Sequence, residues 1–221
     1  MLSGMRIFKL LSVLALLFTV MTGSAMAADW KVSVDKDGIR VYTRPHPDSA
    51  FNEAKVETRV RASLSSIMAV MQNIPEFPLW MDSCEFTEQL AEIDESNGYA
   101  YMVISVPWPF QRRDVVYRYA AVQDPQSKVV SVTISDVKDY LPEQKNKVRL
   151  PRFSGSWQLV PAGDGYVDIT YQIHFETGGM VPAAAANLVL VNAPLISIRN
   201  LLELLKEPRY RDAVLPQLIE P

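Results

Sequence analysis

A single cysteine, two histidines and nine glycines in 221 residues leave this chain few of the tools of metal or disulfide chemistry. One thiol cannot close an internal disulfide, and one Cys with two His cannot build a Cys-rich zinc site. Positive charge is not in excess either: 22 Lys and Arg stand against 25 Asp and Glu, a formal charge of −3, so no basic field attracts nucleic acid. His174 falls on the polar face of its segment and His46 in a proline-flanked turn, both expected to be exposed and unpaired. No Gly-x-Ser-x-Gly is present, Gly178-Gly179 lacks the spacing of a phosphate cradle, and the carboxylates scatter over outward faces and turns. The sequence therefore nominates no catalytic group, cofactor or metal. What is there is an ordinary globular composition, 48% hydrophobic and 21% charged, which excludes disorder, collagen and coiled coil.

The first 27 residues differ from the rest. Arg6 and Lys9 precede an apolar run over residues 10–20, and Ala25-Met26-Ala27 supplies the small residues of a cleavage site. This is the pattern of a secretory signal peptide, with cleavage expected between Ala27 and Ala28 and a periplasmic or secreted product. The run is short for a membrane span, and no later segment is expected to reach one. The mature chain from residue 28 carries 20 basic and 25 acidic residues, a net of −5, and is long enough for one domain with a sizeable core. Cys84, unpaired in an oxidising compartment, reads as a buried small hydrophobe.

Along the mature chain, period-two alternation predicts short strands at residues 32–34 and 39–43, joined by a glycine turn, and a longer one at 54–62. Ser63 then caps a short helix over residues 64–73, with Leu64, Ile67, Met68 and Met71 at helical spacing. Six further strands follow, at residues 83–90, 99–106, 115–122, 129–137, 153–160 and 166–176, all expected to be antiparallel. The last alternates Val167, Ile169, Tyr171, Ile173 and Phe175 against polar neighbours, so one face is buried and one is wet. Residues 183–206 form a long helix with Leu188, Val191, Leu195, Ile198, Leu202 and Leu205 in one stripe, kinked at Pro194. A sheet with one apolar face and one striped helix gives a two-layer α+β domain in which the sheet curls around the helix. A gap between the layers would hold an apolar ligand.

The stretch Val106-Pro107-Trp108-Pro109-Phe110-Gln111-Arg112-Arg113-Asp114-Val115-Val116-Tyr117 resembles the signature of START (StAR-related lipid-transfer) domains, a branch of the Bet v 1-like superfamily. Trp157, the Gly179-x-x-Pro182 entry to the last helix, and that helix as the final element agree with it. The resemblance covers about residues 30–210. It implies the helix-grip fold, an interior tunnel closed by the C-terminal helix, and binding of a lipid or another hydrophobic molecule. On their own chemistry, the two prolines end a strand, and Arg113 with Asp114 is expected to pin the loop through an ion pair or backbone hydrogen bonds.

Many animal members of that family place an Arg six residues after the motif Arg, inside the tunnel; here that position is Tyr119. Tyr117, Tyr119 and Tyr171 would then offer hydroxyls in place of a buried charge, which suits a neutral ligand. The residues expected to line the site are Val56, Met102, Ile104, Tyr117, Tyr119, Val132, Ile134, Trp157, Ile169, Tyr171 and Ile173 from the sheet, and Leu188, Val191, Leu195 and Ile198 from the helix. The expected function is carriage or sensing of lipid by a monomer, with transient contact at a membrane surface through Lys138, Lys145, Lys147, Arg149 and Arg152. Two other readings are a polyketide aromatase/cyclase-like enzyme, against which the export signal argues, and an interaction module with a filled core.

Overall fold

The computed structural model describes residues 29–221, so the expected signal peptide and its cleavage site lie outside the described residues. Ten strands build one sheet: β1 (Lys31–Lys36), β2 (Ile39–Pro45), β3 (Asn52–Arg61), β4 (Cys84–Asp94), β5 (Asn97–Ile104), β6 (Arg112–Gln123), β7 (Val130–Asp136), β8 (Lys147–Arg149), β9 (Arg152–Pro161) and β10 (Tyr166–Glu176). Nine lie in the order β1-β2-β3-β10-β9-β7-β6-β5-β4. The antiparallel pairing of β3 with β10 joins the N-terminal hairpins to the end of the meander. Arg59 and Asp168, opposite each other in that pair, form a fork of hydrogen bonds at 2.6 and 2.8 Å on the wet face. The other face carries the core.

Between β3 and β4 come helix α1 (Leu64–Gln72), a 3₁₀ turn (Ile74–Glu76) and α2 (Phe77–Trp80). Ser63 caps α1 as its sequence predicts, accepting from the Ser66 N–H at 3.0 Å. After β10 the chain turns through Gly178 and Gly179, both in the left-handed region at φ +60° and +61°, and enters α3 (Ala183–Leu204). α3 packs against β2, β3 and α2, and the short α4 (Pro208–Arg211) follows it to touch α1.

Three expectations are corrected. First, the six expected strands pair antiparallel with one another, but an additional strand, β8, runs parallel to β6, pairing Arg113 with Val148; three residues are too few to show alternation in a sequence. Second, the buried residues of α3 are Ala186, Leu190, Pro194, Leu195, Ser197, Ile198, Leu201 and Leu204, so of the expected stripe Leu195 and Ile198 are buried, as is Leu205 just beyond the helix, while Val191 and Leu202 are half-buried and Leu188 is 70% exposed. The first half of this helix is apolar on every side except for Asn187 and Asn192, so spacing alone allows two stripes there, and the sheet selects the one through Ala186 and Leu190. Third, α3 is long and apolar enough to cross a membrane by length and composition, yet it packs on the sheet. It runs unbroken through Pro194.

Candidate ligand-binding site

Between the sheet and the first half of α3 lies a cavity of about 420 Å³, within the range of small-molecule sites. Met102 and Ile104 of β5, Phe153 of β9, and Tyr171, Ile173 and Phe175 of β10 form its floor. Ala185, Ala186, Leu188, Val189, Asn192, Ala193, Pro194 and Ser197 form its roof, a length of about 18 Å along the helix at 1.5 Å per residue. Small side chains on the roof and large ones on the floor leave the gap. The corner from Met81 to Cys84 closes one side, and Pro107 and Phe110 of the proline loop stand at another. The roof is fixed by two contacts. Ser197 Oγ accepts the Asp82 N–H at 2.9 Å, and Asn187 Oδ1 accepts the Asn52 N–H at 2.9 Å, which ties the start of β3 to α3.

A second, smaller cavity of about 50 Å³ lies under α1 and α2. Met81 lines both. An aromatic partition stands between them: Tyr171 stacks on Trp157 at 4.0 Å, and Trp157 meets Trp80 edge-on at 6.1 Å.

Of the sequence-predicted residues, Met102, Ile104, Tyr171, Ile173 and Leu188 line the larger cavity. Tyr117, Tyr119, Val132, Ile134 and Trp157 line the smaller one. Val56, Ile169, Leu195 and Ile198 are packed in the continuous core and Val191 packs against it, so these five line neither cavity. The three tyrosines are thus divided. Tyr171 alone reaches the main cavity, where burial pushes its phenol up. Tyr117 is buried with its hydroxyl unpartnered among the described residues. Tyr119 accepts from Gln89 Nε2 at 2.7 Å, lying over Gly98, where a Cβ would come within 2.4 Å of the Tyr119 hydroxyl.

The cavity also gathers Asp82, Cys84, Arg113 and Thr177, none of them nominated from the sequence as lining residues. Burial pushes the Cys84 thiol up to about 12, so it stays protonated and unreactive at neutral pH. Arg113 is only 3% exposed and has backbone carbonyls as its partners: Nε donates to Thr177 O at 3.1 Å, Nη2 to Gly178 O at 3.1 Å, and Nη1 to Gln111 O. It points inward because Arg113, Val115 and Tyr117 alternate on one face of β6, a parity that was readable one step before Val115. Asp114 points the other way and pairs with Arg149 and Tyr101. The two motif residues pin different segments and are not a pair.

The basic segment is largely neutralised. Arg149 is spent on Asp114, Arg152 lies 3.5 Å from Glu176, and Lys138 lies 2.7 Å from Asp136, leaving Lys145 and Lys147 without an acidic partner among the described residues. The histidines are neither exposed nor separate. His174 is buried and stacks on His46 at 4.0 Å, with Nδ1 3.1 Å from Asn52 O. The cause is the β2–β3 loop, which folds over the outer face of β10. No group of three metal-ligating side chains occurs among the described residues.

The exposed rim of the cavity is apolar. Phe110 and Leu188 of the lining are exposed, and next along the chain from the lining residues Pro107 and Val181 stand Trp108, 92% exposed, and Met180, 91%. Single exposed hydrophobes are common, but such a set around one opening is not.

These features agree with what the chain is similar to. An uncharacterised protein of Pseudomonas aeruginosa is 31% identical over 197 residues, 89% of this chain and 96% of that one. The crystal structure of a STAR-related lipid transfer protein from Xanthomonas axonopodis is 35% identical and superimposes with a TM-score of 0.75, covering 81% of this chain and all of that one. Human StAR-related lipid transfer protein 5 matches at 0.71 over 90% of this chain and 92% of its own, at 16% identity, a likeness of fold alone. The fold alone is likewise shared with an aromatase/cyclase from a Streptomyces, 14% identical, with a TM-score of 0.50 over 72% of this chain and 95% of that one. The START domain family itself matches residues 18–208, nearly the whole chain including every strand and the gripped helix, and the chain belongs to that family.

Proposed function

We propose that this protein is an exported carrier of a lipid or other hydrophobic small molecule, held between the sheet and α3. The observation that carries this reading is the 420 Å³ apolar cavity beneath the small-residue face of α3. Burial supplies the affinity: each 100 Å² of apolar ligand surface leaving water contributes about 2.5 kcal/mol. The lining supports binding over catalysis. Its thiol stays protonated, its carboxylate, Asp82, accepts from Ser83 Oγ at 2.9 Å, and His174 with its stacked partner lies on the outer face of the sheet. The signal-like N-terminus supports a periplasmic location. Loading at a membrane is supported by the mouth itself. A lipid must cross that opening, and Trp108, Phe110, Met180 and Leu188 are side chains that partition to a bilayer interface without needing the neutralised basic segment.

The test is native mass spectrometry of the mature protein purified from the periplasm, followed by extraction of what is bound and by a panel of fatty acids, sterols and phospholipids. One hydrophobic molecule per monomer is the expected result. An empty protein that refuses the panel overturns the reading and favours an interaction module.

A further inference from the structure

Among the described residues, Arg113 is the one cation lining the larger cavity. A guanidinium has five N–H groups, and backbone carbonyls take one on each nitrogen. Two N–H groups, one on each terminal nitrogen, are left without an acceptor among the described residues. No carboxylate of the described residues lies within ion-pair distance: Asp114 faces the opposite side of β6, and Asp82, also in the lining, forms no bridge to Arg113. Beside Arg113, on the segment whose carbonyls it holds, the Thr177 hydroxyl is buried and unpartnered. Thr177 also lines the cavity. A buried cation and a buried hydroxyl left short of partners are costly in an apolar wall unless something in the cavity completes them. The end of the cavity where they stand is also where α3 begins, and its first turn has neither a side-chain cap nor an acidic residue to offset its positive dipole.

We infer that Arg113 and Thr177 form the head-group end of the cavity and that the ligand is a long-chain carboxylate, its apolar tail lying along α3 toward Ser197. This rests on the carrier reading and narrows it. It reverses the neutral-ligand expectation drawn from Tyr119, because the missing interior arginine is replaced by the motif arginine facing inward. A planar carboxylate meets the free N–H groups at the edge of the guanidinium, with the Thr177 hydroxyl as a third donor. Arg113 keeps its backbone bonds throughout, so no rearrangement of the β10–α3 connection is required.

The experiment compares hexadecanoic acid, its methyl ester and hexadecanol on the delipidated mature protein, and follows the carboxyl carbon of bound ¹³C-labelled hexadecanoate by NMR between pH 8 and 5. The expected result is acid bound about tenfold or more tightly than alcohol or ester, with the bound carboxyl ionised throughout. A carboxyl in an apolar pocket without a cation has its pKa raised and protonates within that range. Arg113 also braces the backbone, so its removal risks the fold; Thr177→Val is the informative variant, expected to weaken the acid several-fold and leave the alcohol unchanged. Equal binding of acid, ester and alcohol, or a carboxyl that protonates as in an uncharged pocket, overturns the inference and leaves the carrier reading standing. Refusal of all three together with the rest of the lipid panel overturns both. Selective capture of a phosphate monoester lipid over the acid overturns the carboxylate assignment while keeping an anion at Arg113.

Discussion

Arg149 holds Asp114 by two parallel hydrogen bonds, Nε to Oδ1 at 3.0 Å and Nη2 to Oδ2 at 3.1 Å, on the face of β6 that turns away from the cavity. Tyr101 adds a third, its hydroxyl donating to Oδ2 at 2.9 Å, and the Asp114 C=O accepts the Leu150 N–H at 2.9 Å. The carboxylate is fully buried. This cluster fastens the β7–β8 segment over a small satellite core of Tyr101, Val103 and Val116. It is the half of the Arg-Asp motif that serves stability, leaving Arg113 to face the cavity.

Asp114→Ala removes the shared acceptor of Arg149 and Tyr101 while both stay largely buried. Breaking a buried pair from one side costs about 3 kcal/mol, which for a domain of this size lowers the thermal midpoint by about 6–12 °C. Differential scanning calorimetry at pH 7 reads it. A fall of less than 2 °C would show the cluster to be as weak as a surface ion pair.

Much of this architecture was legible because alternation and helical spacing act locally. β10 alternates so cleanly that its inward set, Val167, Ile169 and Tyr171, is buried as its sequence predicts, and the Ser63 cap starts α1 at its expected residue. What was not legible depended on partners distant in sequence. The rotation of α3 about its axis is decided by the sheet beneath it, and the burial of His174 by a loop from β2. The division of Tyr117 and Tyr119 from Tyr171 is decided by Trp157 and Trp80, aromatic residues that meet only in the fold.

His174 supplies a pH dependence. Burial, reinforced by His46, holds its imidazole below the ordinary 6.5, although the Asn52 carbonyl and Glu176 oppose this and Arg152 adds to it. The unfolded chain therefore binds a proton that the folded chain refuses. Stability from this group is complete above 6.5 and is lost as pH falls through the folded value, by at most about 1.4 kcal/mol per pH unit. Urea midpoints at pH 7.5 and 5.5 should fall for the parent protein and change less for His174→Gln. Equal falls would assign the dependence to other groups.

Tyr117 carries a buried hydroxyl with no hydrogen-bond partner among the described residues, and burial with its neighbours Cys84, Tyr119 and Tyr171 pushes its phenol up. An unsatisfied polar group costs free energy, so Tyr117→Phe should leave stability unchanged or raise it by up to about 1 kcal/mol. Guanidinium unfolding measures this. A loss of 1 kcal/mol or more would reveal a partner for the hydroxyl, such as an internal water in the small cavity.

Trp108 tests the membrane role of the mouth separately from the cavity. At 92% exposure its side chain contributes almost nothing to packing, so Trp108→Ala should change the unfolding midpoint by less than about 0.5 kcal/mol. The indole is also absent from the cavity lining, so affinity for a soluble short-chain ligand should be unchanged. Only steps at a bilayer should suffer, because an interfacial aromatic is lost there. The expected outcome is several-fold slower transfer of a fluorescent fatty acid between vesicles, with the same deficit in sedimented, vesicle-bound protein, and little relief from high salt because the contact is apolar. Wild-type transfer rates in the variant would move the docking surface elsewhere. Strong loss in salt with no effect of Trp108→Ala would return it to Lys145 and Lys147, the two lysines of the basic segment that lack an acidic partner among the described residues.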